Sequence, residues 1–165
     1  TLAQETIMDF THFDEKGNAR MVDVTMKNET ERIARAAGII KVSAKVFAAV
    51  SQGSIAKGDV LTVATTAGIA GAKKTWEMIP MCHIVPLTGC SIEWELKEET
   101  CEIYCLCTAR CTGRTGVEME ALTGVSAALL TVYDMCKAMD KIMEIGEIRL
   151  LEKDGGKSGH FVREV

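Results

Sequence analysis

Residues 113–141 read GRTGVEMEALTGVSAALLTVYDMCKAMDK, and this stretch decides the fold of the chain. Apolar residues recur through its second half at steps of three and four positions, which is the period of an α-helix with one buried face. They are Leu122, Val125, Leu129, Val132, Cys136 and Met139. The pattern predicts a long helix that covers a hydrophobic core.

Polar side chains mark both ends of this predicted helix. Glu118 and Glu120 fall in its first turn, with Met119 between them, where carboxylates favour the helix dipole. Asp134 and Lys137 lie three positions apart near the other end, where a solvated ion pair is the simplest interpretation. At ~1.5 Å per residue, Glu120 and Asp134 are then roughly 21 Å apart along the axis. If both act on one small substrate, the site must lie between two subunits.

The residues before the helix indicate an antiparallel β-hairpin. Ile92, Trp94 and Leu96 alternate with charged residues, which is the period of a strand with one buried face. Residues 98–100 carry a turn signal, and residues 101–110 alternate in the same way. The hairpin therefore presents one apolar face to the core.

Residues 31–42 have a period that is ambiguous between helix and strand, and we interpret them as a strand. Ser43 then caps a short helix that runs through Val50. Residues 147–153, EIRLLEK, form a last strand. Together with the hairpin and the long helix, these elements predict an α+β sandwich with helices on one face of an antiparallel sheet.

A second helix is predicted from Asp59, a good N-cap, to the stop at Pro80. Its alanines and glycines leave one flank almost bare, so we expect it to pack closely on another element. Lys73 lies in its last turn, where a cation favours the dipole. Cys82 and His83 follow the stop. We interpret His83 as a polar substrate contact, because adjacent side chains rarely point at each other and make a poor nucleophile and base.

The seven cysteines indicate reduced thiols rather than disulfides or a metal site. Cys101, Cys105, Cys107 and Cys111 lack the paired spacing of zinc ligands. On one side of a strand, such residues are ~6.6 Å apart and form an extended row rather than a cluster. We interpret all four as small core residues on the same side of one strand.

Composition limits the functional class. The chain has 165 residues, of which 47% are hydrophobic, enough for one compact domain. The net charge of -4 argues against a nucleic-acid surface, which is normally basic. The first residues lack a signal-peptide pattern, and no apolar run approaches the ~20 residues of a membrane span, so we expect a cytoplasmic protein with no membrane contact.

We expect three segments along the chain. Residues 1–10 are a mobile tail, residues 11–153 are a single catalytic α+β domain, and residues 154–165 are a flexible glycine-rich tail. The tail segment KDGGKSGHF is not a nucleotide-binding P-loop, because Leu151 stands where the first glycine is required and too few residues follow for a helix.

Five segments together resemble one family over residues 11–159. They are HFDEKGNARMVDV, KGDVL, AGIAGAKKTWEMIPMCH, TGRTGVEMEALTGVSAALLTVYDMCKA and IGEIRLLEKDGGKSG. The chain resembles the cyclic pyranopterin monophosphate synthases, the C protein of molybdenum cofactor biosynthesis. The stretches GVEMEALT and YDMCKA are highly specific.

The resemblance implies a ferredoxin-like fold, a homohexamer built as a trimer of dimers, and a site at a subunit interface. It implies conversion of 3′,8-cyclo-7,8-dihydro-GTP to cyclic pyranopterin monophosphate with release of diphosphate, without a cofactor. It also implies roles for eleven residues. The catalytic residues that it implies are Asp134 and Lys137. The implied substrate contacts are Met81, Cys82, His83, Met119 and Glu120, and the implied triphosphate contacts are Lys57 and Lys73. Arg32 and Glu118 are expected near the pocket.

The expected reaction moves protons between ring and hydroxyl groups, which requires positioned acids and bases. We expect Lys137, in an enclosed interface and surrounded by other lysines, to transfer protons with a lowered proton affinity, and Asp134 to position it. The sequence departs from the family beside the site, where many members have proline at the position of Ile84 and leucine at that of Met81. The alternative function is a non-catalytic purine-nucleotide-binding module; a structural protein and a thiol or zinc enzyme are less favoured.

Overall fold

A computed structural model describes residues 10–53 and 59–164. The predicted N-terminal tail lies outside the described residues except for Phe10, and Lys57 also lies outside them. None of the helices in the described ranges is long and apolar enough to cross a membrane.

A five-stranded antiparallel sheet forms one layer of the molecule, in the order β2-β3-β1-β4-β5. The strands are β1 (Thr30–Lys41), β2 (Leu87–Lys97), β3 (Glu102–Gly113), β4 (Glu144–Asp154) and β5 (Phe161–Val162). The helices are α1 (Ala44–Ser51), α2 (Val60–Lys73), α3 (Thr75–Met78) and α4 (Glu118–Cys136). This is the α+β, ferredoxin-like architecture expected from the sequence.

The hairpin and the strand at residues 31–42 are confirmed. β2 and β3 pair on either side of a short 3₁₀ turn, Glu98–Thr100, and β1 pairs with both β3 and β4. β4 is longer than the predicted strand, and residues 155–160 lead back into β5. Part of the predicted glycine-rich tail is therefore an edge strand of the sheet.

The predicted N-caps hold the starts of α1 and α2. The Ser43 hydroxyl accepts a hydrogen bond from Val46 N, and the Asp59 carboxylate accepts one from Leu61 N at 3.1 Å. The second helix was predicted to run to Pro80; it stops just before Pro80 but is broken at Lys74 into α2 and α3. The chain leaves helical geometry at Lys74, and the buried Thr75 donates its hydroxyl to the Ala72 carbonyl at 2.9 Å.

Helix α4 covers the core side of the sheet with an apolar face, as its period predicted. Val125, Leu129 and Val132 are fully buried against core residues of β1 and β3. The prediction placed Met139 on the same buried face, but α4 ends at Cys136, and Met139 lies partly exposed beyond it.

Glycines set the close packing of α2 on α4, which confirms the bare flank predicted for the second helix. A Cβ added at Gly71 would lie 2.6 Å from the Cβ of Ala127, and one added at Gly124 would lie 2.7 Å from Cys107 Sγ on β3. Both distances are too short for real Cβ contacts. Only a residue without a side chain fits at either position.

The cysteine row was predicted correctly for three of its four members. Cys105, Cys107 and Cys111 are buried on the helix-facing side of β3. Cys101 is not in the strand: it follows the 3₁₀ turn with φ 52°, in the left-handed region, and is only partly buried. Cys101 belongs to the turn that joins β2 to β3, so it does not take part in the alternation of buried and exposed residues along β3.

Candidate active site

A cavity of about 420 Å³ opens at the N-terminal end of α4, and we call it the Glu120 cavity. Its volume is in the range of small-molecule sites. Six predicted site residues line it: Met81, Cys82, His83, Glu118, Met119 and Glu120. The fold therefore brings together the loop after α3 and the first turn of α4, which are about 40 residues apart in sequence.

The loop before β2 places its side chains at the cavity through a turn and two prolines. Cys82 N donates a hydrogen bond to the Ile79 carbonyl at 3.0 Å, and Pro80 and Pro86 stand on either side. Ile84 is 70% exposed, whereas His83 is partly buried and lines the cavity. An isoleucine in place of the frequent family proline thus leaves His83 at the site.

Glu120 is the most deeply placed carboxyl group of the cavity, with 4% of its surface exposed. Burial raises its pKa to about 6, and the neighbouring Glu118 charge adds to the effect. A carboxyl group with such a pKa can donate or accept a proton near neutral pH. Burial and the Glu120 charge also raise the pKa of Cys82. Cys82 is therefore a neutral thiol contact rather than a thiolate nucleophile.

His83 has a defined hydrogen bond that decides which ring nitrogen is available. Its Nε2 lies 2.6 Å from the carbonyl oxygen of Val22. Because a carbonyl oxygen only accepts hydrogen bonds, Nε2 must carry the proton, and in the neutral ring Nδ1 is the acceptor. The contact joins the loop before β2 to residues 11–27, which we call the N-terminal strap.

A second, larger cavity of about 1100 Å³ adjoins the first and shares Thr115, Gly116 and Glu118 with it. We call it the cationic cavity, because five basic side chains line it against the single acid Glu118: Lys27, Arg32, Arg114, Lys153 and Lys157. Such a cluster of cations suits a polyanionic group. Of the five, only Arg32 was predicted.

Backbone contacts hold Arg32 in the cationic cavity. Its Nε donates to the Gly113 carbonyl at 3.3 Å, and its Nη1 donates to the Gly155 carbonyl at 3.5 Å. Gly156 has φ +78°, and a Cβ there would overlap the Arg32 guanidinium. The buried hydroxyl of Thr30, which also lines this cavity, has no hydrogen-bond partner among the described residues.

The basic residues that sequence reasoning missed are far apart in the chain. Lys27 ends the strap, Arg114 follows β3, and Lys153 and Lys157 flank the turn between β4 and β5. Three of them lie in segments quoted for the resemblance, which offered a signal: Arg114 in TGRTGVEMEALTGVSAALLTVYDMCKA, and Lys153 and Lys157 in IGEIRLLEKDGGKSG. The pairing of β1 with β3 brings Arg114 beside Arg32, and the pairing of β1 with β4 brings Lys153 there, whereas Lys27 precedes β1 by three residues.

The predicted catalytic pair lies elsewhere. Lys137 Nζ donates to Asp134 Oδ1 at 2.7 Å, and the two side chains are 56% and 70% exposed. Neither residue lines the Glu120 cavity or the cationic cavity, and neither does Lys73, which is exposed at the end of α2. The Asp134 contact raises the pKa of Lys137, which is opposite to the lowered proton affinity expected for it.

Metal ligands are not clustered in the described part of the chain. Within residues 10–53 and 59–164, no group of three or more histidine, cysteine, aspartate or glutamate side chains is placed to hold a metal ion. The described residues provide basic side chains in the cationic cavity and proton-carrying groups in the Glu120 cavity.

Comparison with known proteins gives one consistent result. The MoaC family profile matches residues 21–156. A cyclic pyranopterin monophosphate synthase of Clostridium botulinum is 57% identical over 155 residues, covering 94% of this chain and 98% of that protein. An enzyme of the same name from Desulfitobacterium hafniense is 56% identical over 158 residues, which cover 95% of this chain and 96% of that protein. Another from Clostridium perfringens is 58% identical over 151 residues, which cover 92% of this chain and 96% of that protein. This chain therefore belongs to the MoaC family.

Proposed function

We propose that this chain acts as a cyclic pyranopterin monophosphate synthase, an enzyme of molybdenum cofactor biosynthesis. The observation that carries the proposal is the identity above 50% to enzymes of that name over nearly the whole chain. The substrate is 3′,8-cyclo-7,8-dihydro-GTP, and the products are cyclic pyranopterin monophosphate and diphosphate. The two adjoining cavities support this assignment, since one suits a fused ring and the other its triphosphate.

The cationic cavity binds the triphosphate in this proposal. Arg32 and Lys157 lie on its wall, together with Thr30, whose buried hydroxyl has no partner among the described residues. When a ribose-derived hydroxyl attacks the first phosphorus, the bond to the diphosphate breaks and negative charge grows on the leaving oxygens. Fixed cations stabilise that charge without reorganising. Lys73, which lines neither cavity, and Lys57, which lies outside the described residues, serve the same anion in this proposal.

Proton transfers take place in the Glu120 cavity. Glu120 carries a proton at slightly acidic pH and releases it near neutrality, because its pKa is about 6. His83 presents Nδ1 as an acceptor while its Nε2–H remains bonded to Val22. Rearrangement of the cyclised nucleotide requires both protonation and deprotonation of ring atoms, and these two groups provide both.

Asp134 and Lys137 join this site from a second subunit. They are exposed at the far end of α4, fourteen or more residues from Glu120 and about 21 Å or more along a helix. A small substrate cannot bridge that distance within one chain. We therefore place the complete site at a dimer interface within a hexamer built as a trimer of dimers. There the environment of Lys137 changes, and Asp134 remains its positioning partner.

The reaction is tested by measuring diphosphate release and pterin formation from 3′,8-cyclo-7,8-dihydro-GTP. Wild-type protein is compared with Asp134→Asn and Lys137→Ala. We expect product from the wild type and a loss of at least ~100-fold in each variant, the scale typical of acid–base residues. Lys45→Ala, an exposed lysine on α1 outside both cavities, is the control and should keep full turnover.

Two other results would change the assignment. A folded wild type that binds the substrate saturably but forms no product would support the non-catalytic purine-nucleotide-binding module instead. Near-normal turnover by Lys137→Ala would leave the proposed reaction in place but would show that Lys137 is not a catalytic residue.

A further inference from the structure

The N-terminal strap forms part of the wall of the Glu120 cavity. His12, near the start of the strap, lines the cavity together with Glu118 and Glu120. Its backbone is fixed, because Arg20 N donates to the His12 carbonyl at 2.8 Å and Phe13 pairs with Ala19 in an isolated β-bridge. The cavity therefore contains a second imidazole besides that of His83. This second imidazole comes from the strap, not from the loop before β2 or from α4.

The turn of the strap is closed by a side chain of its own. Asp14 Oδ1 accepts hydrogen bonds from Lys16 N at 2.9 Å and from Asn18 N at 2.8 Å. At the far end, His83 Nε2–H donates to Val22 at 2.6 Å. The local turn and the contact with the loop before β2 thus hold the strap beside the cavity, and His12 with it.

The chain has three histidines, and their hydrogen bonds differ. His83 bonds to the Val22 carbonyl, and His160 contacts the Glu152 carboxylate at 3.0 Å. Among the described residues, the ring of His12 has no hydrogen-bond partner in the protein. No described residue therefore competes with a ligand for either ring nitrogen of His12.

We propose that His12 is a further substrate-contacting residue, which transfers a proton to or from the cyclised nucleotide in the Glu120 cavity. This inference rests on the proposed function. The ionisable groups that face it are Glu118 and Glu120 from α4, and Cys82 and His83 from the loop before β2. An imidazole beside two carboxyl groups can receive a proton from one position of a ring and return it at another.

The test compares His12→Ala and His12→Gln with His160→Gln, a matched histidine outside both cavities. We expect turnover of the cyclised nucleotide by both His12 variants to fall by about 100-fold, with a much smaller change in KM. Added imidazole should restore part of the turnover of His12→Ala, because a free imidazole can occupy the vacated space. His160→Gln should behave as the wild type.

Asp14→Ala separates a chemical role of His12 from a structural role of the strap. It loosens the turn but leaves the imidazole present. If Asp14→Ala and His12→Ala lose turnover equally and imidazole rescues neither, the strap matters only as a wall and the inference is wrong. Normal turnover by His12→Ala would also overturn it. A wild type that forms no product would instead contradict the proposed function, so the two failures are distinguishable.

Discussion

At the scale of single residues, the candidate site contains a carboxyl group, that of Glu120, which the fold shields from solvent. Glu120 is 4% exposed, and burial raises its pKa from 4.5 to about 6. Between these two values the folded chain holds a proton that the unfolded chain has released. Stability is therefore lost as pH rises through this range, by about 2 kcal/mol for this one group.

Glu120→Gln tests this linkage. The substitution removes the titration, so the free energy of unfolding of the variant relative to wild type should rise by about 2 kcal/mol between pH 4.5 and pH 7. Urea unfolding at several pH values measures it. Glu99→Gln, an exposed carboxylate on the turn between β2 and β3, is the control. A difference between Glu120→Gln and wild type that does not change with pH would mean that Glu120 titrates as in the unfolded chain.

At the scale of elements, α4 supports the site because it is packed on both α2 and the sheet. Gly124 lets the helix approach β3, where Cys107 Sγ leaves no space for a methyl group. We expect Gly124→Ala to lower the free energy of unfolding by about 1–3 kcal/mol, since the cost of overpacking exceeds the gain in helix propensity. Denaturant unfolding measures the change.

Cys107→Ala provides the matched background for that substitution, because it removes the sulfur atom that the added methyl group would meet. The cost of Gly124→Ala should be clearly smaller in this background than in the wild type. Equal costs in the two backgrounds would show that backbone entropy or the contact with α2 sets the requirement for glycine, not the sulfur.

The elements could be predicted where local signals agree with packing. The side chains of Ser43 and Asp59 cap their helices as expected, because N-cap hydrogen bonds form within a few residues of sequence. The break at Lys74 and the position of Cys101 were missed. In both cases the deciding feature is tertiary: Thr75 is buried, and the carbonyl of the left-handed Cys101 accepts a hydrogen bond from Val42 N, which is far away in the sequence.

The site was only partly predictable for a similar reason. Met81 to His83 and Glu118 to Glu120 lie in two contiguous segments, so the family resemblance identifies them together. His12 and Lys27 come from the strap, and Lys153 comes from the far end of β4; the path of the strap and the pairing of β1 with β4 place them at the two cavities. A sequence pattern records which residues are present, but it does not record which strand ends meet.

At the scale of the whole molecule, the charge is concentrated rather than uniform. The chain carries a net charge of -4, yet five basic residues line one cavity. An acidic exterior with a local cationic cavity favours a small polyanion over a nucleic-acid backbone, which needs an extended basic surface. This distribution agrees with the triphosphate that we propose as the ligand of the cationic cavity.

The separation of Glu120 from Asp134 and Lys137 leads to a prediction about subunits. Two single variants, Glu120→Gln and Lys137→Ala, should each be inactive alone. Unfolded together and refolded as a mixture, they should form dimers in which one of the two sites receives both intact residues. Random pairing makes half of the dimers mixed, so about a quarter of wild-type turnover should return. Each variant refolded alone is the control. If both residues served a site within one chain, mixing would restore nothing, and the interfacial site would be excluded.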